Sequence, residues 1–461
     1  MVSRSFRRRL MGTQTIQLES PEKRRVFNNF LRVGLGFGVF LVLGTILLSI
    51  PLASSSGEGT NVFDAFFTAV SAICVTGLVV VDTQTHWSFF GEVVILLLVL
   101  IGGLGYMIGI GLVLWIFGRS FGIRDRHLMR LYYGAPSLGE GLRFMRSLAI
   151  YALGVQILGT LALLFMFSVV QGMPFNRAIW WAVFHAVSAF NCAGFNITGH
   201  DMLLFASKPE ILITMGLLVF AGSIGSAAVI LALFNRRIKM SLQVKLILYS
   251  AVILIACASL LFALFEWNNP GTLATVGVAD RPVLTFFQAV TWTSGFSAIN
   301  LNFLNDETKL FSSVLMLIGG AAGTPAGGIK LATVAVLFAG IVGFFRGQEE
   351  VAPFGRRIPK TAIRQATAIT LIFLGLFLLV TFLLILLSDF KFSNIVYEAA
   401  SALGTVGWST GITSGFNSSG RVILIAAMLL GRFLPIILVL IMFRQHSRET
   451  FRVQRDSIRL G

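Results

Sequence analysis

Charged side chains are scarce in this chain: Asp, Glu, Lys and Arg make up 12% of its 461 residues, whereas 56% of the residues are hydrophobic. A soluble protein of this length does not need so much apolar surface. The apolar residues also cluster into runs near the roughly 20 residues that cross a bilayer as a helix. These runs cover residues 33–52, 93–117, 148–170, 211–234, 244–265, 368–387 and 422–443. The sequence therefore predicts an all-α polytopic membrane protein with little room for a soluble domain.

Cysteines and cofactor motifs are scarce as well. The three cysteines, Cys74, Cys192 and Cys257, are odd in number and lack metal-site spacing, so neither a disulfide framework nor a zinc site is indicated. The chain has no G-x-x-x-x-G-K-S/T phosphate-binding loop and no dinucleotide fingerprint, so we expect that this chain binds no nucleotide. The apolar runs lack converging acid, base or metal-binding side chains, which argues against an intramembrane enzyme.

Basic residues alternate from one loop to the next, although the net charge of +16 alone would suggest a nucleic-acid partner. Lys and Arg concentrate in segments 4–25, 119–146, 236–245, 346–364 and 444–459, and are few in the loops between them. This asymmetry follows the positive-inside rule and predicts eight spans, both termini in the cytoplasm and no nucleic-acid partner. Most acidic residues lie in the opposite loops, where they either concentrate cations at an outer mouth or simply avoid the basic loops.

One short pattern occurs four times. It reads "FTAVSAICVTGL" at 67–78, "FHAVSAFNCAGF" at 184–195, the shorter "FQAVTWTSGF" at 287–296, and "YEAASALGTVGW" at 397–408. Each copy has an aromatic residue, an alanine, a serine or threonine, and then a glycine followed by a large apolar residue. The four glycines are Gly77, Gly194, Gly295 and Gly407.

A short apolar segment precedes each glycine, at residues 61–72, 174–189, 282–290 and 392–402. These segments are too short to cross a bilayer and have the length of re-entrant helices, which must be buried in protein or line a watery cavity. We therefore predict four non-identical repeats of outer helix, re-entrant pore helix, filter loop and inner helix around a pseudo-four-fold central pore. The chain then divides into a basic cytoplasmic tail at 1–26, repeat 1 at 27–130, repeat 2 at 131–240, repeat 3 at 241–346, repeat 4 at 347–445, and a second basic cytoplasmic tail at 446–461.

Backbone carbonyls are the groups we expect the glycine loops to use. Glycine accepts a positive φ, so successive carbonyls can turn to one side and replace the water around a cation. Short helices whose partly negative C-terminal ends point at the centre add favourable potential there. The alternative is that small residues merely let helices approach each other, and we prefer that interpretation for "GGLGYMIGIG" at 102–111 and "AGSIGSAA" at 221–228.

These motifs resemble the Trk/Ktr/HKT superfamily of potassium transport proteins, over nearly the whole chain from Phe27 to about Arg444. "GTVGW" at 404–408 is similar to the TVGYG filter of potassium channels, and four signature glycines go with potassium preference in this family. The first repeat follows the basic tail directly, which is most like the Ktr-type membrane subunit. The resemblance implies K⁺ coordination in a selectivity filter. Its residues would be Val75, Thr76, Gly77, Leu78, Cys192, Ala193, Gly194, Phe195, Thr293, Ser294, Gly295, Phe296, Thr405, Val406, Gly407 and Trp408.

The segment "GGAAGTPAGGIK" at 319–330 interrupts the apolar run 314–345, and its glycines and proline make a continuous helix implausible. In the family an intramembrane gating loop lies here, with an inner-helix arginine beside it; the alternative is a kinked packing helix. The gating residues would be Gly319, Gly320, Ala321, Ala322, Gly323, Thr324, Pro325, Ala326, Gly327, Gly328, Lys330 and Arg432. We expect Arg432, which is costly at mid-span, to bond loop carbonyls or to act as an electrostatic barrier. Lys330 either belongs to the gate or snorkels to the cytoplasmic surface.

The predicted function is potassium-selective uptake across the cell membrane. The resemblance implies a homodimer and a cytosolic ring of RCK-type subunits that binds ATP or ADP; anionic membrane lipids are an equal explanation for the basic loops. A secondary transporter that couples K⁺ to Na⁺ or H⁺ is the alternative, but such proteins usually have inverted repeats, whereas these repeats share one orientation. We expect the polar residue at the second motif position to fasten the pore helix rather than bind an ion; these residues are Thr68, His185, Gln288 and Glu398.

Overall fold

A computed structural model describes residues 36–104, 141–199, 201–225, 242–348 and 350–445. Within these ranges the chain is helical, with isolated bridges at Ser54–Trp87 and Ile318–Ile329 and no β-strand. The predicted tails at 1–26 and 446–461, and most of the basic loops 119–146 and 236–245, lie outside the described residues. The main helices are α1 Gly36–Ser49, α2 Val62–Ile73, α3 Phe89–Leu104, α4 Gly141–Phe165, α5 Phe175–Phe190, α6 Pro209–Ser223, α7 Leu242–Glu266, α8 Arg281–Val290, α9 Asp306–Leu317, α10 Leu331–Phe345, α11 Lys360–Leu387, α12 Phe392–Gly404 and α13 Ser418–Gln445.

Four short helices, α2, α5, α8 and α12, lie where the sequence predicts them, with bounds within two residues of the expected ones. The cap at the start of α2 explains one boundary: the side chain of Asn61 accepts a hydrogen bond of 2.8 Å from the backbone N–H of Phe63. Pro282 lies in the first turn of α8. Proline suits this position because backbone N–H groups in the first turn have no intrahelical acceptor, so its lack of an N–H costs no hydrogen bond. Each short helix is followed by one of the glycine loops.

The C-terminal halves of the short helices are mostly buried, whereas the long helices expose apolar side chains. In α12 every residue from Ile395 to Gly404 is buried. In contrast, Leu158 of α4 and Leu378 of α11 are 69% and 59% exposed, as expected for helices that face lipid. Within the described ranges, four helices are long and apolar enough to cross a membrane, and five more apolar helices are shorter. The four long ones are Ser147–Val170, Leu242–Glu266, Lys360–Leu387 and Ser418–Pro435.

Glycines on the flanking helices let the short helices approach closely. A Cβ atom at Gly102 of α3 would overlap the carbonyl oxygen of Ile73, and one at Gly222 of α6 would overlap that of Phe190. Gly431 of α13 lies in the same way against the carbonyl of Leu403. The packing interpretation is therefore confirmed at Gly102 and Gly222, while 105–111 and 226–228 lie outside the described residues.

Gly102→Ala is expected to destabilise the protein by about 1–3 kcal/mol, since the added methyl group must displace the backbone at the end of α2. The matched control is Gly154→Ala in α4, where a Cβ atom would meet nothing within 4 Å. Thermal unfolding in detergent should give a lower midpoint for Gly102→Ala only. Equal midpoints for the two variants would contradict this account of the contact.

Candidate functional site

All four glycine loops leave their short helices through the same hydrogen bond. The backbone N–H of the residue before the glycine donates to the backbone carbonyl of the motif serine or threonine. The four bonds are Thr76 to Ser71 at 2.8 Å, Ala193 to Ser188 at 2.8 Å, Ser294 to Thr291 at 2.9 Å, and Val406 to Ser401 at 2.9 Å. The serine or threonine in the repeated pattern therefore marks the point at which the chain turns out of the helix.

The loop backbones adopt left-handed conformations. The φ angles of Gly77, Gly194, Gly295 and Gly407 are 90°, 69°, 73° and 102°. Two residues earlier, three loops have a second left-handed residue without being glycine: Val75, Cys192 and Thr405, with φ of 57°, 55° and 49°. Such values are rare outside glycine, above all for β-branched residues, and they persist only where the surroundings enforce them. The sequence gives no signal for these three residues, and the shorter third loop has a positive φ only at its glycine.

The four glycines meet in a closed ring. A Cβ atom built at each one would lie 3.1 Å from the Cα atom of the next, in the order Gly77, Gly194, Gly295, Gly407 and back to Gly77. The same Cβ atoms would overlap a carbonyl oxygen of the neighbouring loop. Those four carbonyls belong to Ala193, Ser294, Val406 and Thr76. The loops are therefore in contact through main-chain atoms.

The large apolar residue after each glycine is buried away from solvent. Leu78, Phe195, Phe296 and Trp408 are at most 1% exposed. The Trp408 indole also joins two loops, because its Nε1–H donates to the backbone carbonyl of Phe296 at 2.9 Å. These buried side chains help to fix the loops within the protein interior.

Polar contacts also join successive quarters of the chain. They are Trp180 Nε1 to Glu92 Oε2 at 2.6 Å, the Ser297 backbone N–H to Asp201 Oδ2 at 3.0 Å, Lys391 Nζ to Asp306 Oδ2 at 2.7 Å, and Arg421 Nη1 to Asp64 Oδ1 at 2.6 Å. The last contact joins the fourth quarter to the first and so completes the circle. Neither the repeated pattern nor residue spacing points to these pairs.

The segment between α9 and α10 is a compact non-helical loop. Where the loop begins and ends, the Gly319 N–H donates to the carbonyl of Ile329 at 2.8 Å, and the Leu331 N–H donates to the carbonyl of Gly320 at 3.0 Å. Further along, Ala321 N–H donates to the carbonyl of Ser223 at the end of α6, at 2.8 Å. A Cβ atom at Gly327 would overlap the hydroxyl of Thr405 in the fourth glycine loop. The loop therefore lies against the start of the fourth glycine loop, where it leaves α12.

Arg432 joins this loop to a different helix. Its side chain is 7% exposed, and its guanidinium donates to the carbonyl of Pro325 in the loop and to the carbonyl of Gly102 in α3. Lys330 is half-buried, and its Nζ donates to the carbonyl of Ala326 within the loop rather than reaching away from it. Arg432 and Lys330 thus satisfy the carbonyls of Pro325 and Ala326, which have no intrahelical partners in the non-helical loop.

The four polar residues at the second motif position are hydrogen-bonded within the protein. Thr68 and His185 bond carbonyls of their own helices, at 2.9 Å and 2.7 Å. Gln288 and Glu398 reach the segment that follows their loops. The expected fastening role therefore fits Gln288 and Glu398, which tie their short helices to the segments after the loops. The hydrogen bonds of Thr68 and His185 stay within their own helices and do not show it.

Comparison with known proteins agrees with this architecture. The family model described as "TrkH: Cation transport protein" matches residues 17–451. The chain belongs to the TrkH family. It is therefore a multi-pass membrane cation transport protein and not an enzyme.

Individual known proteins also match most of the chain. The Ktr system potassium uptake protein B of Bacillus subtilis is 33% identical over 88% of this chain and 91% of its own length. The potassium/sodium uptake protein NtpJ of Enterococcus hirae is 30% identical over 93% and 96%. The crystal structure of the potassium transporter TrkH from Vibrio parahaemolyticus matches with a TM-score of 0.66 at 18% identity, over 90% of this chain and 86% of that one. This last likeness establishes a shared fold.

Proposed function

We propose that this TrkH-family protein is a potassium-selective uptake pore, in which ions pass through the ring of four glycine loops. The observation that carries the proposal is the closed contact order of Gly77, Gly194, Gly295 and Gly407, with one main-chain carbonyl at each junction. Rings of backbone carbonyls replace the hydration shell of a monovalent cation without offering it a full negative charge. K⁺ would be the cargo, held by carbonyls of the sixteen filter residues named above.

The short helices favour the same role. Helices α2, α5, α8 and α12 each end where a glycine loop begins, so their partly negative C-terminal ends lie beside the ring. The four-repeat arrangement, the eight spans and the cytoplasmic termini belong to this proposal. In it, α2, α5, α8 and α12 are the re-entrant pore helices.

The loop 319–330 is the proposed gate. It contacts the fourth glycine loop through Gly327 and is held by Arg432 and by the end of α6. The loop lacks the continuous hydrogen-bond ladder of the helices on either side, which suits an element that moves. Lys330 and Arg432 would then set how readily it opens.

Two relatives are named for potassium uptake or transport and one for potassium and sodium. These names support K⁺ as the cargo and keep a second candidate, a K⁺ transporter coupled to Na⁺ or H⁺. The Ktr system named for the Bacillus subtilis relative also supports a partner subunit. We propose a homodimer of this chain with a cytosolic RCK-type ring that binds ATP or ADP, while this chain itself binds no nucleotide.

The test is ion uptake into liposomes that hold the purified protein. An outward K⁺ gradient sets the membrane potential, which drives external ⁸⁶Rb⁺ inward at about 2.3 kcal/mol per charge for each 100 mV. We expect uptake that external K⁺ and Rb⁺ inhibit strongly and Na⁺ inhibits weakly. Equal inhibition by Na⁺ and K⁺ would contradict the selective pore, and slow saturable uptake that requires Na⁺ or a proton gradient would favour the coupled transporter.

A further inference from the structure

A buried carboxylate lies behind the fourth glycine loop. Glu398 is in the middle of α12 and is fully buried. Its Oε1 accepts hydrogen bonds from the backbone N–H of Thr410, at 3.0 Å, and from the hydroxyl of Ser409. Its Oε2 accepts one from the hydroxyl of Thr413, at 3.0 Å. Burying a carboxylate is costly, and three donors from one segment offset that cost.

These three donors all come from residues 409–413, the segment that leaves the ring. Ser409 directly follows Trp408, whose indole is bonded to Phe296 in the third loop. On the other side of the loop, the Gly407 N–H donates to the hydroxyl of Ser401 at 3.0 Å. The fourth loop is thus anchored to α12 both at its glycine and after it. A shift of residues 409–413 would move Trp408 and with it the junction between the third and fourth loops.

In the other three copies of the motif, the residue at the second position forms fewer hydrogen bonds to the segment after the loop, or none. Gln288 accepts one hydrogen bond from the hydroxyl of Ser297, at 3.0 Å. Within the described part of the chain, the side chains of Thr68 and His185 form hydrogen bonds only to carbonyls of their own helices. Glu398 is therefore the strongest anchor of a loop exit among the four equivalent positions.

We infer that Glu398 is a positioning residue that fixes the width of the carbonyl ring and thereby its preference for K⁺ over Na⁺. The inference rests on the proposed function, because it assumes that the ring coordinates K⁺. Carbonyls held at a fixed spacing suit one ionic radius, whereas carbonyls free to move inward can also surround the smaller Na⁺. Loss of the carboxylate releases residues 409–413, so the carbonyls of the fourth loop can move inward around Na⁺.

The experiment compares Glu398→Gln with Glu266→Gln in the liposome uptake assay. Gln keeps one acceptor oxygen but loses the negative charge, and its NH₂ group cannot accept from Thr413, so the anchor is weakened with little change of shape. Glu266 is also a fully buried carboxylate, and none of its hydrogen-bond donors among the described residues lies in a glycine loop; they are Asn269, Thr272, Asn305 and Thr308. We expect Glu398→Gln to lower the K⁺/Na⁺ inhibition ratio at least about fivefold and Glu266→Gln to leave it unchanged.

A second readout separates positioning from a merely structural role. A structural defect lowers the melting temperature equally in K⁺ and in choline, whereas a positioning defect reduces the extra stabilisation that K⁺ gives through binding. Thr413→Val removes the bond to Oε2 and the bond between the Thr413 and Ser409 hydroxyls, and it leaves the other two bonds to Glu398 in place. It covers the case in which Glu398→Gln does not fold, and its expected effect on the ratio is smaller and in the same direction. A wild-type ratio in the folded variants would overturn the inference. Wild-type protein without K⁺ preference would instead contradict the proposed function.

Discussion

Gly407→Ser is expected to lower the preference for K⁺ over Na⁺ by at least about tenfold, equivalent to about 1.4 kcal/mol. Gly407 has a φ of 102°, and a Cβ atom there would overlap the carbonyl oxygen of Thr76 in the first loop. The serine must therefore either push that carbonyl out of the ring or change its own backbone conformation. Both responses remove at least one coordinating oxygen from the proposed site, and that loss penalises the ion that the intact ring suits.

The measurement is inhibition of ⁸⁶Rb⁺ uptake by K⁺ and Na⁺, for wild-type protein and for two variants. Gly57→Ser is the matched control, because Gly57 also has a positive φ of 73° but a Cβ atom there would meet nothing within 4 Å. It shares the backbone strain of the Gly407 variant without the clash. Unchanged selectivity in Gly407→Ser, in protein that remains folded, would remove the assignment of the ring as the filter.

The short helices and the break between α9 and α10 could be predicted because local chemistry determines them. A run of 9 to 16 apolar residues bounded by Asn61 or Pro282 is a helix too short for a bilayer, wherever it lies in the fold. The glycines and Pro325 likewise exclude a continuous helix at 319–330, and α9 ends at Leu317, close to the expected place. Repetition of the motif then indicated that the four loops belong together.

The contact that joins the fourth quarter of the chain to the first could not be predicted from the sequence. Arg421 and Asp64 are 357 residues apart, and nothing in either segment identifies the other as a partner. The left-handed Val75, Cys192 and Thr405 are of residue types that normally avoid this conformation, so tertiary contacts override their local preference. The motif identifies Glu398 as a polar residue of a short helix, but its hydrogen-bond partners depend on where the fold places residues 409–413.

Arg432→Ala is expected to raise the rate of uptake about tenfold or more in protein without its cytosolic partner. The guanidinium of Arg432 bonds the carbonyls of Pro325 and Gly102 and so ties the loop 319–330 to α3. A hydrogen bond to a charged group contributes about 1.5–3 kcal/mol when it is lost with nothing in its place. If the bond exists only in the arrangement seen here, its loss shifts the population toward the arrangement in which the loop has moved.

Arg432→Lys distinguishes the two roles expected for this residue. Lysine keeps the positive charge but lacks the planar fork that reaches two carbonyls at once, one in the loop 319–330 and one in α3. If Arg432 pins the loop, Lys and Ala should both raise the rate of ⁸⁶Rb⁺ uptake; if it is an electrostatic barrier, Lys should keep the wild-type rate and only Ala should raise it. Arg177→Ala, which removes a charge that stacks on Trp181, controls for loss of positive charge alone. Wild-type rates in both Arg432 variants would exclude the residue from gating altogether, because neither the bond nor the charge would then limit the passage of ions.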